Sequence, residues 1–235
     1  MTCLGLRGRY FWAVLTLAVA MLPAVGCKEL MTTVGILVKG TDIDPEFTGL
    51  TGRKVVVVCR SLADLKYQDS RVAKDLARDL GRRLKENVSK IKLVDMRKVE
   101  RWTDEHNWDE FVDVGKAVDA EMVVGIDLEH FEMYSGQTLY QGKASVTVHV
   151  YDLRPDPKAK AKDKDKDKTP RSPGDPVFEK SLPQIAWPTN SCVPASEKPE
   201  AQFRREFIQV IAGKVGFCFY PRPVEDGFAD REDGM

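Results

Sequence analysis

Between Glu121 and Leu153 apolar and polar residues alternate along the chain. Met122, Val124, Ile126 and Leu128 share one side of the first half. Tyr140, Ala144, Val146, Val148 and Val150 share one side of the second, opposite Gln141, Lys143, Ser145, Thr147 and His149. Period-two patterning predicts paired strands with one dry and one wet face. A turn signal at Tyr134-Ser135-Gly136-Gln137 joins them as a hairpin. A two-residue turn at Ser135-Gly136 would pair odd positions of the first strand with even positions of the second, yet upstream the first strand buries its even positions. One extra residue near Glu129-His130 restores the parity, so a β-bulge is expected there; an odd-length turn is the competing explanation.

The other elements follow from similar patterns. Lys54 to Cys59 is a continuous apolar run, as for a central strand covered on both faces. A helix opens at Ser70, with Val72, Ala73, Leu76, Ala77, Leu80, Leu84 and Val88 on one face and mixed charges on the other. Ile91 to Val94 reads as a second strand, Arg97 to Trp108 as a short helix and loop, and Phe111 to Val118 as another helix. Strand, helix, strand, helix, strand implies right-handed crossovers and parallel pairing. A final helix from Glu200 carries Phe203, Phe207, Ile208, Ile211 and Val215, enough apolar surface to cover the hairpin. The expected fold is therefore α/β (α+β): a mixed five-stranded sheet of order 2-1-3-4-5, its fifth strand at Val177 to Trp187, with the C-terminal helix packed on the sheet.

The ends and one interior stretch lack this patterning. Residues 1–26 read as a signal peptide: Arg7 and Arg9, then an uncharged run from Tyr10 to Leu22, then small residues before Cys27. Ala24-Val25-Gly26-Cys27 resembles the lipobox of bacterial lipoproteins, which implies a lipidated Cys27 and an exported, membrane-anchored chain facing the periplasm. Lys28 after the cysteine favours the outer membrane by the same resemblance. Residues 27–53 are expected as a lipidated tether and 54–220 as one domain. Within that domain the Lys/Asp-rich loop 155–176 offers too little apolar surface to offset its ordering entropy. Residues 221–235 are an acidic tail.

The formal net charge is zero, 36 basic against 36 acidic residues, so no bulk field marks a nucleic-acid binder. Cys59, Cys192 and Cys218 remain after Cys3 and Cys27, and Cys192–Cys218 is the one disulfide to entertain in an oxidising compartment. Gly49 and Gly52 precede a strand and cradle no phosphate. Ser61 follows a strand without the flanking glycines of a nucleophile elbow. Trp102 and Trp108, with Tyr67, could line a carbohydrate groove, though packing at a core edge is the readier role. The best metal candidates are Asp127, Glu129 and His130, with Glu132 alongside: a bulge could gather them and bring His149 near. The open face of a half-wet sheet also carries such residues, and no cofactor is implied.

With the elements in place a family resemblance emerges. Lys54-Val-Val-Val-Val, the helix Ala73-Lys-Asp-Leu-Ala-Arg-Asp-Leu, Val94-Asp95, the stretch Val114 to Gly125 and the strand ending Tyr151-Asp152-Leu153 follow in order. This pattern, over roughly residues 53 to 217, resembles the periplasmic α/β domain of the CsgG, LpoB and TolB N-terminal group. The resemblance implies a non-catalytic envelope accessory protein, tethered by its lipid and binding an envelope protein or a peptidoglycan-associated partner, with homo-oligomerisation open. A transmembrane pore is disfavoured, because the hairpin's wet face is a poor lipid-facing band. The alternative is a metal-dependent hydrolase centred on Glu129 and His130.

Overall fold

The sheet is built outward from Lys54–Ser61 (β1), a strand apolar on both faces. The computed structural model describes residues 42–61, 70–154 and 174–223. The expected signal peptide, Cys27, most of the Lys/Asp-rich loop and most of the acidic tail lie outside them. The chain divides into two units, Met1–Ile43 and Asp44–Met235, and the sheet with its covering helices lies within the second.

After β1 come the helix Ser70–Asn87 (α1), the two-residue strand Lys92–Leu93 (β2), and the helices Met96–Glu105 (α2) and Phe111–Ala117 (α3). Asp95 caps α2, its carboxylate accepting from the Arg97 amide at 3.0 Å. The hairpin strands are Met122–Tyr134 (β3) and Leu139–Asp152 (β4). Three short segments, Phe178–Ser181 (β5), Ile185–Trp187 (β6) and Val193–Pro194 (β7), precede the helix Glu200–Gly216 (α4).

Strand order is β2-β1-β3-β4-β5, with β6 and β7 also paired to β4. β1 runs parallel to β2 and β3, and the remaining pairs are antiparallel. The order matches the expected 2-1-3-4-5. The expected fifth strand is instead broken at Leu182-Pro183-Gln184 and supplemented by β7, so the sheet has seven strands. A proline cannot donate to the ladder, which accounts for the break.

The hairpin register contains the predicted bulge. Leu128 faces Val146 while His130 faces Ser145, so Glu129 is the inserted residue. The turn differs from the expected two-residue form: Tyr134 pairs with Tyr140, the Ser135 amide donates to the Leu139 carbonyl at 2.9 Å, and Gly136 takes φ +83°. The odd-length connection and a second shift between Glu132 and Tyr134 cancel in parity. The single upstream bulge therefore returns the even positions of β3 to the dry face.

Helices α1 and α4 cover that dry face. Val146, Val148 and Val150 are at most 1 % exposed, and Phe203, Phe207, Ile211 and Val215 of α4 are fully buried. Each such side chain contributes about 1.5–3 kcal/mol by leaving water, so α4 is integral to the core. Phe47 and Leu50, within the stretch 27–53, pack into this core. Helices α2 and α3 cover the other face, where Val56, Val58, Val99, Phe111, Val114, Val118 and Val123 form a second apolar layer.

Candidate functional site

β1 feeds a helix on one face and β2 feeds helices on the other. In open α/β sheets such a reversal places a crevice off the carboxyl ends of the strands. Two clefts open there, and Arg60 lines both. One, of about 360 Å³, lies between α1 and α2 along β1, with Cys59, Ser61, Lys74, Asp104 and His106 among its walls. The other, of about 430 Å³, lies over Phe111 and Tyr151 beside Asp109, Glu110 and Asp175.

Between them a row of charges crosses four strands. Arg60 and Asp127 are register partners on β1 and β3, and their side chains meet through two hydrogen bonds, Nε–Oδ1 at 2.7 Å and Nη2–Oδ2 at 3.0 Å. On β4, His149 places Nε2 3.2 Å from Asp127 Oδ2. Its Nδ1 is 3.9 Å from Glu179 Oε1 on β5, too long for a hydrogen bond, and is buried without a partner among the described residues. The Phe111 ring lies 4.8 Å beneath the Arg60 guanidinium, a cation–π contact. The ring can lie there because residue 125 is glycine: a Cβ at Gly125 would stand 2.7 Å from it.

The pairing shows in the titration of these groups. Burial pushes the Asp127 carboxyl up, but hydrogen bonds from His149 and Arg60 outweigh it and hold the group below its ordinary value. The same hydrogen bond to Asp127 raises Arg60, despite partial burial. Burial, reinforced by Asp127, raises the Tyr151 phenol.

The bulge sets Glu129 and His130 on the same outer face as Asp127, but the three do not converge. Thr147 Oγ1 donates to Glu129 Oε1 at 2.7 Å and lies 2.9 Å from Ser181 Oγ. His130 is half exposed and stands 3.6 Å from Glu132. Among the described residues no three His, Cys, Asp or Glu side chains are placed to hold a metal ion. Arg60 occupies both oxygens of Asp127, the position a cation would take. The candidate set Asp127, Glu129 and His130 is thus three separate polar contacts.

The remaining candidates are equally committed. His106 lines the same cleft as Ser61, but its Nδ1 is 2.9 Å from the Trp102 carbonyl and its ring stacks on that indole at 4.7 Å. Asp104 is taken by Lys74 at 2.6 Å. Trp102 and Trp108 pack against the second apolar layer, so they serve as core edge; Tyr67 lies outside the described residues. Cys192 and Cys218 do not form the expected disulfide: both are free, Cys192 exposed and Cys218 buried. The reason is their placement along the sheet. Cys192 precedes β7, which pairs at Tyr140, whereas Phe219, beside Cys218, packs on Phe178 opposite Val150. Ten strand residues at about 3.3 Å each separate those two positions.

Arg60, the hub of the row, is the residue the sequence did not single out. Its signal was a lone cation at the end of an apolar strand, which gains meaning only once Asp127 is known to lie beside it.

No protein-family model and no curated protein matches the chain. Solved structures with some likeness include a PelC dodecamer from Paraburkholderia phytofirmans, at 10% identity, TM-score 0.37, covering 77% of this chain and 95% of that one. Lipoprotein GNA1162 from Neisseria meningitidis is similar at 8% identity and TM-score 0.37, covering 69% and 97%. A minor lipoprotein from Acinetobacter baumannii gives 12% identity and TM-score 0.30, covering 70% and 90%. None of these three belongs by its name to the CsgG, LpoB and TolB group.

Proposed function

We propose that this chain is a non-catalytic accessory protein of the bacterial cell envelope, anchored through a lipid on Cys27 and presenting its α/β domain to the periplasm. Its role is to bind another envelope component, a protein or a peptidoglycan-associated partner. The observation that carries the non-catalytic part is the closed pairing at the strand ends. Asp127 is held by Arg60 and His149, and Glu129 by Thr147. A general acid or base must reach its substrate with the proton it is to move; here the carboxylates are spent on neighbours. The clefts remain as binding features.

The anchor rests on the sequence around Cys27. A lipid tether makes association with a partner in the same membrane effectively intramolecular, so modest intrinsic affinity suffices. The test is crosslinking in intact cells followed by mass spectrometry, comparing the parent chain with Cys27→Ala. Capture of a defined envelope partner that is lost when Cys27→Ala releases the chain is the expected result. An intact mass without acyl groups, or the same capture by the released chain, refutes the tethered reading.

A further inference from the structure

We infer that the open edge of β1 at Val57 and Cys59 is a slot for an extended peptide segment of a partner protein, received as an added strand of the sheet. This gives the partner's chemistry and rests on the envelope-binding reading above.

The backbone sets the geometry. Pairing of β1 with β3 continues to Ser61, opposite Leu128, whereas pairing with β2 stops at Val55, opposite Leu93. The last contacts on the β2 side are the Lys92 amide to the Arg53 carbonyl at 2.8 Å and the Val94 amide to the Val55 carbonyl at 2.9 Å. On the β3 side the Glu121 amide meets the Lys54 carbonyl at 2.8 Å. Backbone groups alternate sides along a strand, so those of Val57 and Cys59 face the edge that β2 has left. No described residue pairs with them there. Both residues are nearly buried, at 2 % and 9 % exposure, and buried backbone donors and acceptors require partners. A peptide backbone with the same repeat of about 6.6 Å matches them in register.

The cleft lies where a further strand would run. Val57 and Cys59 point to one face of the sheet and Val58 and Arg60 to the other, and all four line it. On the α1 wall, Ala73 and Ala77 leave room for side chains of an added strand. On the outer wall α2 buries Val99, rests Trp102 on the second apolar layer, and reaches α1 through the pairs Lys74–Asp104 and Arg78–Glu100, each at 2.6 Å. Lys74 and Asp104 are 39% and 57% exposed. Ion pairs this wet contribute little, so the α1–α2 seam at Lys74 and Asp104 is the weakest part of the wall.

The test begins with hydrogen exchange on the full-length chain by NMR. The Val57 and Cys59 amides exchange about tenfold faster than those of Val56 and Val58, which bond to β3. The chain is then panned against a displayed library of random linear twelve-residue peptides. Enriched peptides slow exchange at Val57 and Cys59 by about tenfold. N-methylation at alternate peptide positions abolishes the effect. Joining Lys74→Cys to Asp104→Cys with a short bis-maleimide, in a background with Cys3, Cys27 and Cys192 replaced by Ser, closes the α1–α2 seam and blocks the peptides, while an unchanged melting curve shows that the domain is intact. Equal exchange at all four β1 amides overturns the slot. So does failure to enrich any peptide, or enriched peptides that protect other amides or bind the joined chain equally well. A partner captured in cells by a chain whose slot takes no peptide leaves the envelope reading standing and removes the slot. A slot that takes peptides, in a chain that captures no envelope partner, removes the envelope reading alone.

Discussion

Gly142 on β4 lies directly under the Phe207 ring of α4, and substituting it measures how tightly the closing helix is seated. A Cβ at residue 142 would stand 2.6 Å from two ring atoms of Phe207 and 2.7 Å from a third. Ordinary carbon contacts lie at about 3.5–4.0 Å, so ring or helix must retreat by about 1 Å. The ring cannot yield easily: Phe207 is fully buried, with Phe131 stacked at 5.4 Å and Phe203 at 6.4 Å. Overpacking of this kind costs about 1–3 kcal/mol, and the stiffer unfolded chain returns about 0.4–1 kcal/mol. Gly142→Ala should therefore destabilise the domain by about 0.5–2 kcal/mol, lowering Tm by about 1–8 °C for a domain of this size. Phe207→Leu removes the offending ring and leaves space beside residue 142. In that background Gly142→Ala becomes neutral or stabilising, a coupling of about 0.5–3 kcal/mol. Urea unfolding followed by circular dichroism on the four proteins of the cycle decides the matter. If the two effects add within about 0.5 kcal/mol, the helix does not press on the hairpin as described.

Three further outcomes follow from the site. Asp127→Asn loses charge-assisted hydrogen bonds to Arg60 and His149 and costs about 1–3 kcal/mol at neutral pH. Because the folded carboxyl is depressed, its contribution is present above the unfolded pKa of about 3.9 and lost as pH falls through the lower folded value. Parent and variant stabilities should thus converge in strong acid, and a constant gap across a pH series of melts would refute the assignment. Gly125→Ala lifts Phe111 from the sheet, destabilising by about 1–3 kcal/mol and shifting the Arg60 and His149 side-chain NMR signals; unmoved signals would contradict the packing. Of Cys59, Cys192 and Cys218, only exposed Cys192 should react promptly with a thiol reagent, as mapped by peptide mass. Burial raises the thiols of the other two, and Asp127 adds to the rise at Cys59, so their labelling should await unfolding.

Much of the sheet was readable because apolar patterning constrains it from both faces. The Val55–Val58 run can sit only centrally, and the parity conflict between the two hairpin strands pointed to a bulge near Glu129-His130 or an odd-length turn, both of which the hairpin contains. The turn was not readable, since Gly136 permits several loop lengths and only the Tyr134–Tyr140 pairing selects one. The row of charges was half visible: Asp127, Glu129, His130 and His149 stood out as residue types. Which of them touch depends on register across three strands, and Arg60 carried no local pattern at all. Pairing of Cys192 with Cys218 looked open in one dimension and is closed by the length of β4 between them.

The position of α4, after every strand of the sheet it covers, has a consequence for folding. The hairpin's share of the dry side gains its cover from residues 200–216, where Phe207 meets Phe131 and Gly142, while α1 covers the rest. Until those residues arrive, that part of the sheet lacks its cover and the core is incomplete. Under the export proposed above, a polypeptide built this way stays threadable until residues 200–216 have emerged.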